Sequence, residues 1–188
     1  MADVRANIAP FINDRFVITS KWWSERGGEI HKGLDIATPV GVPVYSMVTN
    51  GKVIEMWNNH VSMGNALVIK SMDDNVATLY MHLASFNVSL NDTVQRGQQV
   101  GIEGTTGQST GIHLHVEMAD MGSSVHWNFN GQKRDYMNPC TYMGIPNVVG
   151  TWCIYDGTPI PPSPTPTSRK GKHFKWVLYA DKLRKNLT

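Results

Sequence analysis

Seven histidines are spread through a chain of 188 residues, and four of them stand in contexts able to do chemistry. His31 is followed four residues later by Asp35, within His31-Lys32-Gly33-Leu34-Asp35. His113 and His115 flank Leu114, and His82 stands alone between the two groups. Zinc prefers neutral imidazole nitrogen and carboxylate oxygen, and catalytic zinc sites use three protein ligands with a fourth position left for water. Residues two apart in a strand point to the same face. His113 and His115 then share one face, while Leu114 and Val116 face the opposite way into a core. The spacing of His31 and Asp35 is too short to build a site alone, but it suffices if their segment folds over the His113–His115 strand. Each pattern is weak by itself; their co-occurrence in one chain is what points to a metal site. His60, His126 and His173 have no patterned neighbours and read as ordinary side chains.

The elements that must position these residues read as strands. Candidate strands cover residues 16–20, 44–48, 52–57, 65–70, 76–82, 92–94, 99–102 and 113–118. Asn50-Gly51 is a tight-turn signal and predicts a hairpin between 44–48 and 52–57. Asp73-Asp74-Asn75 predicts a second pair, 65–70 with 76–82. No window shows convincing helical periodicity, and Gly, Asn and Asp recur between the runs, so the fold class is all-β with antiparallel sheets. Residues 38–43 hold two prolines and a glycine and are not helix interior. Residues 1–15 read as an irregular, loosely packed lead-in, and Trp127, Phe129 and Tyr136 as part of a loop packed on the domain. The compact domain is expected over residues 1–150. A Pro-rich linker follows over 151–168, with five prolines between Pro159 and Ser168. A basic tail closes the chain over 169–188.

Charge supports that division. Residues 1–168 carry 10 Lys and Arg against 14 Asp and Glu, and residues 169–188 carry 7 against 1. Hydrophobic residues make up 41% of the chain, ordinary for a globular protein. No stretch approaches the ~20 apolar residues of a membrane span. The apolar cluster at residues 8–12 is short and contains Pro10, so no signal peptide is expected. Cys140 and Cys153 lie in no C-x-x-C pair, which gives no Cys-based zinc site; one disulfide and two free thiols both remain open.

Taken together, the ordered motifs resemble the lysostaphin/LytM-type zinc metalloendopeptidases, which cut peptidoglycan peptides. Ile18-Thr19-Ser20, an aromatic and Arg26 resemble the family's approach to its first motif. His31-Lys32-Gly33-Leu34-Asp35-Ile36-Ala37 is similar to its H-x-G-x-D-[IY]-A signature, and Tyr80-Met81-His82-Leu83 to its Y-x-H-L element. The run from Gly97 through Gly111 into His113-Leu114-His115-Val116-Glu117, and then Asn138-Pro139, follows in the family's order. Trp23-Ser24 departs from the usual aromatic-glycine pair. The resemblance implies a narrow groove between antiparallel sheets with one zinc ion at its floor. It implies His31, Asp35 and His115 as ligands and His82 with His113 as the catalytic pair. Which of the two is the general base stays open.

The function expected from the resemblance is zinc-dependent hydrolysis of peptide bonds in the stem or cross-bridge of bacterial peptidoglycan. The bond itself stays open. A wall-cutting enzyme without a signal peptide further suggests a bacteriophage product, released through a holin or carried in a virion tail beside other phage components; the other route is secretion after processing. The alternative is a degenerate wall-binding or hydrolase-activating module, which leaves the filled histidine set unexplained. Residues 92–100 resemble a carrier-domain hairpin but lack the exposed lysine such a module needs. Nothing in the chain supports a nucleic-acid or membrane partner.

Overall fold

A computed structural model describes residues 3–121 and 135–157, and Met1–Gly157 forms one compact unit. The later part of the Pro-rich segment, the basic tail, Trp127 and Phe129 lie outside the described residues. In chain order the strands are β1 (Val4–Arg5), β2 (Arg15–Ser20), β3 (Ser24–Arg26), β4 (Glu29–His31) and β5 (Leu34–Ala37). Next come β6 (Pro43–Tyr45), β7 (Gly51–His60), β8 (Gly64–Ser71), β9 (Val76–Leu83) and β10 (Ser85–Phe86). Then follow β11 (Thr93–Val94), β12 (Gln99–Ile102), β13 (Leu114–Asp120), β14 (Asp135–Met137), the short helix α1 (Pro139–Met143) and β15 (Trp152–Ile154).

Ten of these strands build one sheet in the order β1-β15-β2-β5-β13-β9-β8-β7-β11, with β14 beside β13. Apart from the parallel β1–β15 pair, its pairings are antiparallel. A three-stranded sheet, β10-β12-β6, and the β3–β4 hairpin complete the set. The all-β antiparallel expectation therefore holds.

The central strands β8 and β9 are apolar almost throughout because both of their faces are covered. Leu67, Ile69, Tyr80, Leu114, Val116 and Met118 point to the main core and are fully buried. Ala66, Val68, Ala77, Leu79 and Ala119 face the other way, under Ile54, Trp57, Met63, Met81, Met121 and Tyr136. By strand alternation His115 and Glu117 belong to this second face, with Ala119.

Three local expectations change. Residues 44–48 and 52–57 do not pair: β6 joins β12 in the small sheet, while β7 lies between β8 and β11. Asn50 does turn the chain, with φ 45°, but it passes the chain between sheets. Met47 and Val48 must be buried there, and the Met47 N–H donates to the Tyr80 hydroxyl at 2.9 Å. The lead-in is irregular in path but not loosely packed. Phe11 is fully buried against Phe16 with ring centroids 5.7 Å apart, and the Pro10 carbonyl accepts from Tyr45 N at 2.8 Å. Burial of an aromatic contributes more than the short cluster suggested. Finally, Trp152–Ile154, assigned by sequence to the start of the linker, is a strand hydrogen-bonded to β2 and β1.

Glu103 fastens the loop that follows β5 to the turn that leads into His113. It is only 2% exposed. Its Oε1 accepts from Thr38 N at 3.2 Å, and its backbone N–H donates to the Val42 carbonyl at 2.9 Å. Its neighbour Gly104 bridges to His113. Glu103 Oε2, Thr38 Oγ1 and the Val40 carbonyl form a short chain of two hydrogen bonds. Burial raises the Glu103 carboxyl to about 7, against opposing bonds from Thr38 and Val42 that favour its ionised form.

A carboxyl whose folded pKa is raised contributes stability that is complete below its unfolded value and is lost as pH rises through about 7. Glu103→Gln, which mimics the neutral form, is expected to gain on the wild type between pH 5 and pH 8, by on the order of 2 kcal/mol. Urea midpoints at the two pH values measure it. A parallel pH dependence in both proteins would mean that Glu103 is ionised when folded.

Candidate functional site

β5 and β13 run antiparallel with His115 opposite Asp35 and Leu114 opposite Ile36. Ile36 and Leu114 anchor the pair in the core, which sends Asp35 and His115 to the opposite face together. β4 ends at His31, and a two-residue turn carries the chain into β5. Gly33 sits in that turn because a Cβ there would lie 2.3 Å from His115 Nε2 and 2.9 Å from the Val116 carbonyl. The glycine of the H-x-G-x-D signature is thus a clearance requirement of the histidine that arrives 82 residues later in the chain.

His31 Nε2, Asp35 Oδ1 and His115 Nδ1 converge. They lie 3.1 Å (His31–Asp35), 3.1 Å (His31–His115) and 2.7 Å (Asp35–His115) apart. All three residues are buried, and among the described residues they form the cluster able to hold a metal ion. The outward edge of each ring is already used. His31 Nδ1–H donates to the Lys21 carbonyl at 3.0 Å, and His115 Nε2–H donates to Glu117 Oε1 at 3.1 Å. These bonds aim the remaining nitrogens at one point, the arrangement by which carboxylate and carbonyl partners orient metal-binding imidazoles.

The electrostatics agree. Burial alone would raise the Asp35 carboxyl, but hydrogen bonds and charge from His115 and His31 outweigh it and hold it well below the usual carboxylate range. Burial pushes the His115 imidazole down, yet its bonds to Asp35 and Glu117 and their negative charge dominate and raise it to about 9. The pocket is therefore a buried place that favours positive charge. Two neutral nitrogens 3.1 Å apart repel unless a proton or a cation lies between them. Tetrahedral zinc with bonds near 2.0–2.1 Å places its ligands about 3.3 Å apart; the two separations from His31 are 3.1 Å, and that of Asp35 and His115 is shorter, at 2.7 Å. The residues fit such an ion.

Two further imidazoles border the cluster. The His82 and His113 ring centroids are 4.7 Å apart, and the His82 and His115 centroids 6.1 Å apart. His82 Nδ1–H donates to the Thr106 carbonyl at 2.8 Å, and His113 Nδ1–H to the Gly111 carbonyl at 2.9 Å, with Ser109 Oγ at 3.2 Å. Since a carbonyl can only accept, each ring in its neutral form carries its proton on Nδ1 and turns a bare Nε2 outward. Burial pushes the His82 imidazole down to about 4, opposed by the Thr106 bond, with His113 and His115 adding repulsion. Strand alternation would turn His82 away from the face of Met81 and His115. A left-handed backbone at His82, φ 65°, breaks the alternation and returns the ring to the site. A cleft of about 430 Å³ opens over these groups, bordered by Thr19, Ser20 and Arg26 and by residues 108–112.

All five residues singled out in the sequence thus lie together. Sequence reasoning missed four supports: Glu117 and the carbonyls of Lys21, Thr106 and Gly111. Glu117 was findable, because it continues the alternation of His113 and His115 on one face. The three carbonyls carry no sequence signal.

Comparison with known proteins points the same way. A model of peptidase family M23 matches residues 29–127. The peptidoglycan DD-endopeptidase ShyA of Vibrio cholerae is 40% identical over 96 residues, covering 51% of this chain and 22% of that protein. The catalytic domain of the antimicrobial peptidase lysostaphin from Staphylococcus simulans superposes with a TM-score of 0.52 at 27% identity, covering 69% of this chain and 91% of that one. A mutant catalytic domain of the prophage-encoded M23 protein EnpA from Enterococcus faecalis superposes with a TM-score of 0.54 at 30% identity, covering 72% and 97%. The chain spans about a fifth of the length of the curated relatives it matches.

Gly33→Ala is expected to displace His115 and lower zinc affinity about 10- to 100-fold, the range seen when the support of a ligand is disturbed. Competition with a chromophoric chelator measures it; affinity equal to wild type would mean that the turn can move aside.

Proposed function

The chain belongs to peptidase family M23, and from that premise we propose that it is a zinc-dependent endopeptidase that hydrolyses peptide bonds in the stem or cross-bridge of bacterial peptidoglycan. The observation that carries this reading is the convergence of His31, Asp35 and His115 beside two cleft imidazoles with bare Nε2 atoms. His31, Asp35 and His115 would hold the ion. When bound, zinc supplies Lewis acidity, polarising a carbonyl and making water acidic enough to react near neutral pH.

The remaining chemistry belongs to side chains. His113 Nε2 accepts a proton from the attacking water and returns it to the departing amine, whose nitrogen needs it to leave. His82, held neutral by burial, orients that water through Nε2 and turns into a donor only after taking a proton. The two share a short path, and neither ring can rotate without losing its carbonyl partner. Glu117 and Lys21 keep the ligand rings in place.

The reading extends to context. Action at the bacterial wall follows from the substrate. A bacteriophage origin is supported by the likeness to prophage-encoded EnpA, and release through a holin or placement in a virion tail would be its two routes to the wall. The peptidase domain would occupy the compact unit, with residues 169–188 a basic tail beyond the Pro-rich linker. Among the described residues no helix is long and apolar enough to cross a membrane.

Purified peptidoglycan incubated with the protein is expected to release new amino groups, and a chelator should abolish the release. Identifying the exposed N-terminal residue names the bond. His115→Ala should lose zinc and activity together. His113→Ala should keep zinc and lose activity by about 10²- to 10⁴-fold. Zinc retained in full by His115→Ala would overturn the ligand assignment.

A further inference from the structure

The cleft contains a cation that spends only part of its hydrogen-bonding capacity on the metal cluster. Arg26, at the end of β3, reaches into it with its side chain 49% exposed. One nitrogen, Nη2, donates to Asp35 Oδ2 at 2.7 Å and to Ser20 Oγ. Arginine–carboxylate pairs are frequently forked, two nitrogens on two oxygens, but Asp35 Oδ1 is taken by the two histidines. Here a single nitrogen is used, and three of the five N–H donors, on Nε and Nη1, have no partner among the described residues. Glu29 lies opposite Arg26 in the β3–β4 register, yet no ion pair joins them. The guanidinium turns instead toward the cleft, and its two contacts at Nη2 pin it there.

Charge sharpens the point. Among the residues lining the cleft, Arg26 and Asp35 bear fixed charge; the other side chains that line it are hydroxyls, an amide, imidazoles and an apolar group. Both Asp35 oxygens are engaged, Oδ1 by the two histidines and Oδ2 by Arg26. Among the described residues that line the cleft, the formal charge left available to a substrate, beside that of a bound ion, is positive and already oriented. A pinned, half-exposed guanidinium matches a carboxylate in the plane of its open edge, with little ordering left to do on binding.

We propose that Arg26 is a specificity-determining residue that binds a free carboxylate of the peptide substrate next to the scissile bond. This rests on the endopeptidase reading above. The carboxylate has two sources in a wall peptide, a branch or side-chain carboxylate and the chain's own C-terminus, and both offer the same planar anion.

The test uses the full chain loaded with zinc and synthetic stem peptides in two matched pairs. In one pair the branch carboxylate is free or converted to a carboxamide; in the other the C-terminus is treated the same way. Wild type is expected to prefer the free acid by tenfold or more in kcat/KM in one pair, carried by KM, and that pair names the source. Arg26→Gln should cut acid and amide alike, and Arg26→Lys should keep part of the preference. Both members of a pair meet the same enzyme, so the ratio is independent of how much of a variant is folded or loaded. Hydrolysis by wild type without preference in either pair, or a preference that survives in Arg26→Gln, overturns the role of Arg26 alone. No hydrolysis of any peptide overturns the endopeptidase reading and this proposal with it.

Discussion

A carboxylate buried beside two imidazoles is the constraint around which the rest of the molecule is arranged. An ionised Asp35 removed from water is costly unless positive charge answers it. His31, His115 and Arg26 surround it on both oxygens. That requirement explains why β5 and β13 are adjacent and in this register. It explains why a turn with a glycine precedes β5, and why Glu117 stands behind His115. A slip of one residue between β5 and β13 would turn Asp35 into the core and Ile36 into the cleft, losing both burial and charge compensation.

The site is distributed over elements far apart in the chain, and the sheet makes it rigid. His31 and Asp35 come from β4 and β5, His82 from β9, and His115 from β13. β9 and β13 lie side by side over a six-residue register, so the histidines they carry inherit the precision of the ladder. Main-chain carbonyls then set the protonation of the rings. Lys21, Thr106 and Gly111 each take an Nδ1 proton, from His31, His82 and His113 in turn. His115 is held differently, by the Glu117 carboxylate on Nε2, and this is the imidazole whose pKa is raised. Carbonyls thus fix the orientation of three rings, and a carboxylate that of the fourth.

Away from the site the same economy of polar groups recurs. Glu103 is buried without a cation beside Thr38, and burial raises its carboxyl to about 7. Asp35 and Glu103 are both buried carboxyls, on segments joined through the loop after β5. Their opposite pKa directions follow from their neighbours: nitrogens that carry or share a proton in one case, hydroxyl and carbonyl oxygens in the other. The loop so fastened lies between the strand bearing Asp35 and the turn that precedes His113.

Much of this was legible in the amino-acid order. Repeated short apolar runs with Gly, Asn and Asp between them determine an all-β chain, because period-two burial is a local property of residue types. The motifs around His31, His82 and His113 identify the family and name the five residues that the sheet brings together. Partner choice was less legible. The segments 44–48 and 52–57 carry a turn signal between them yet join different sheets, because burial of Met47 and Val48 outweighs local turn chemistry. The buried lead-in and the strand at Trp152–Ile154 depend on contacts with residues more than a hundred positions away. The left-handed turn at His82 and the three carbonyls that orient the rings are likewise invisible in sequence. A carbonyl is common to every residue, and only the fold decides which of them points at a histidine.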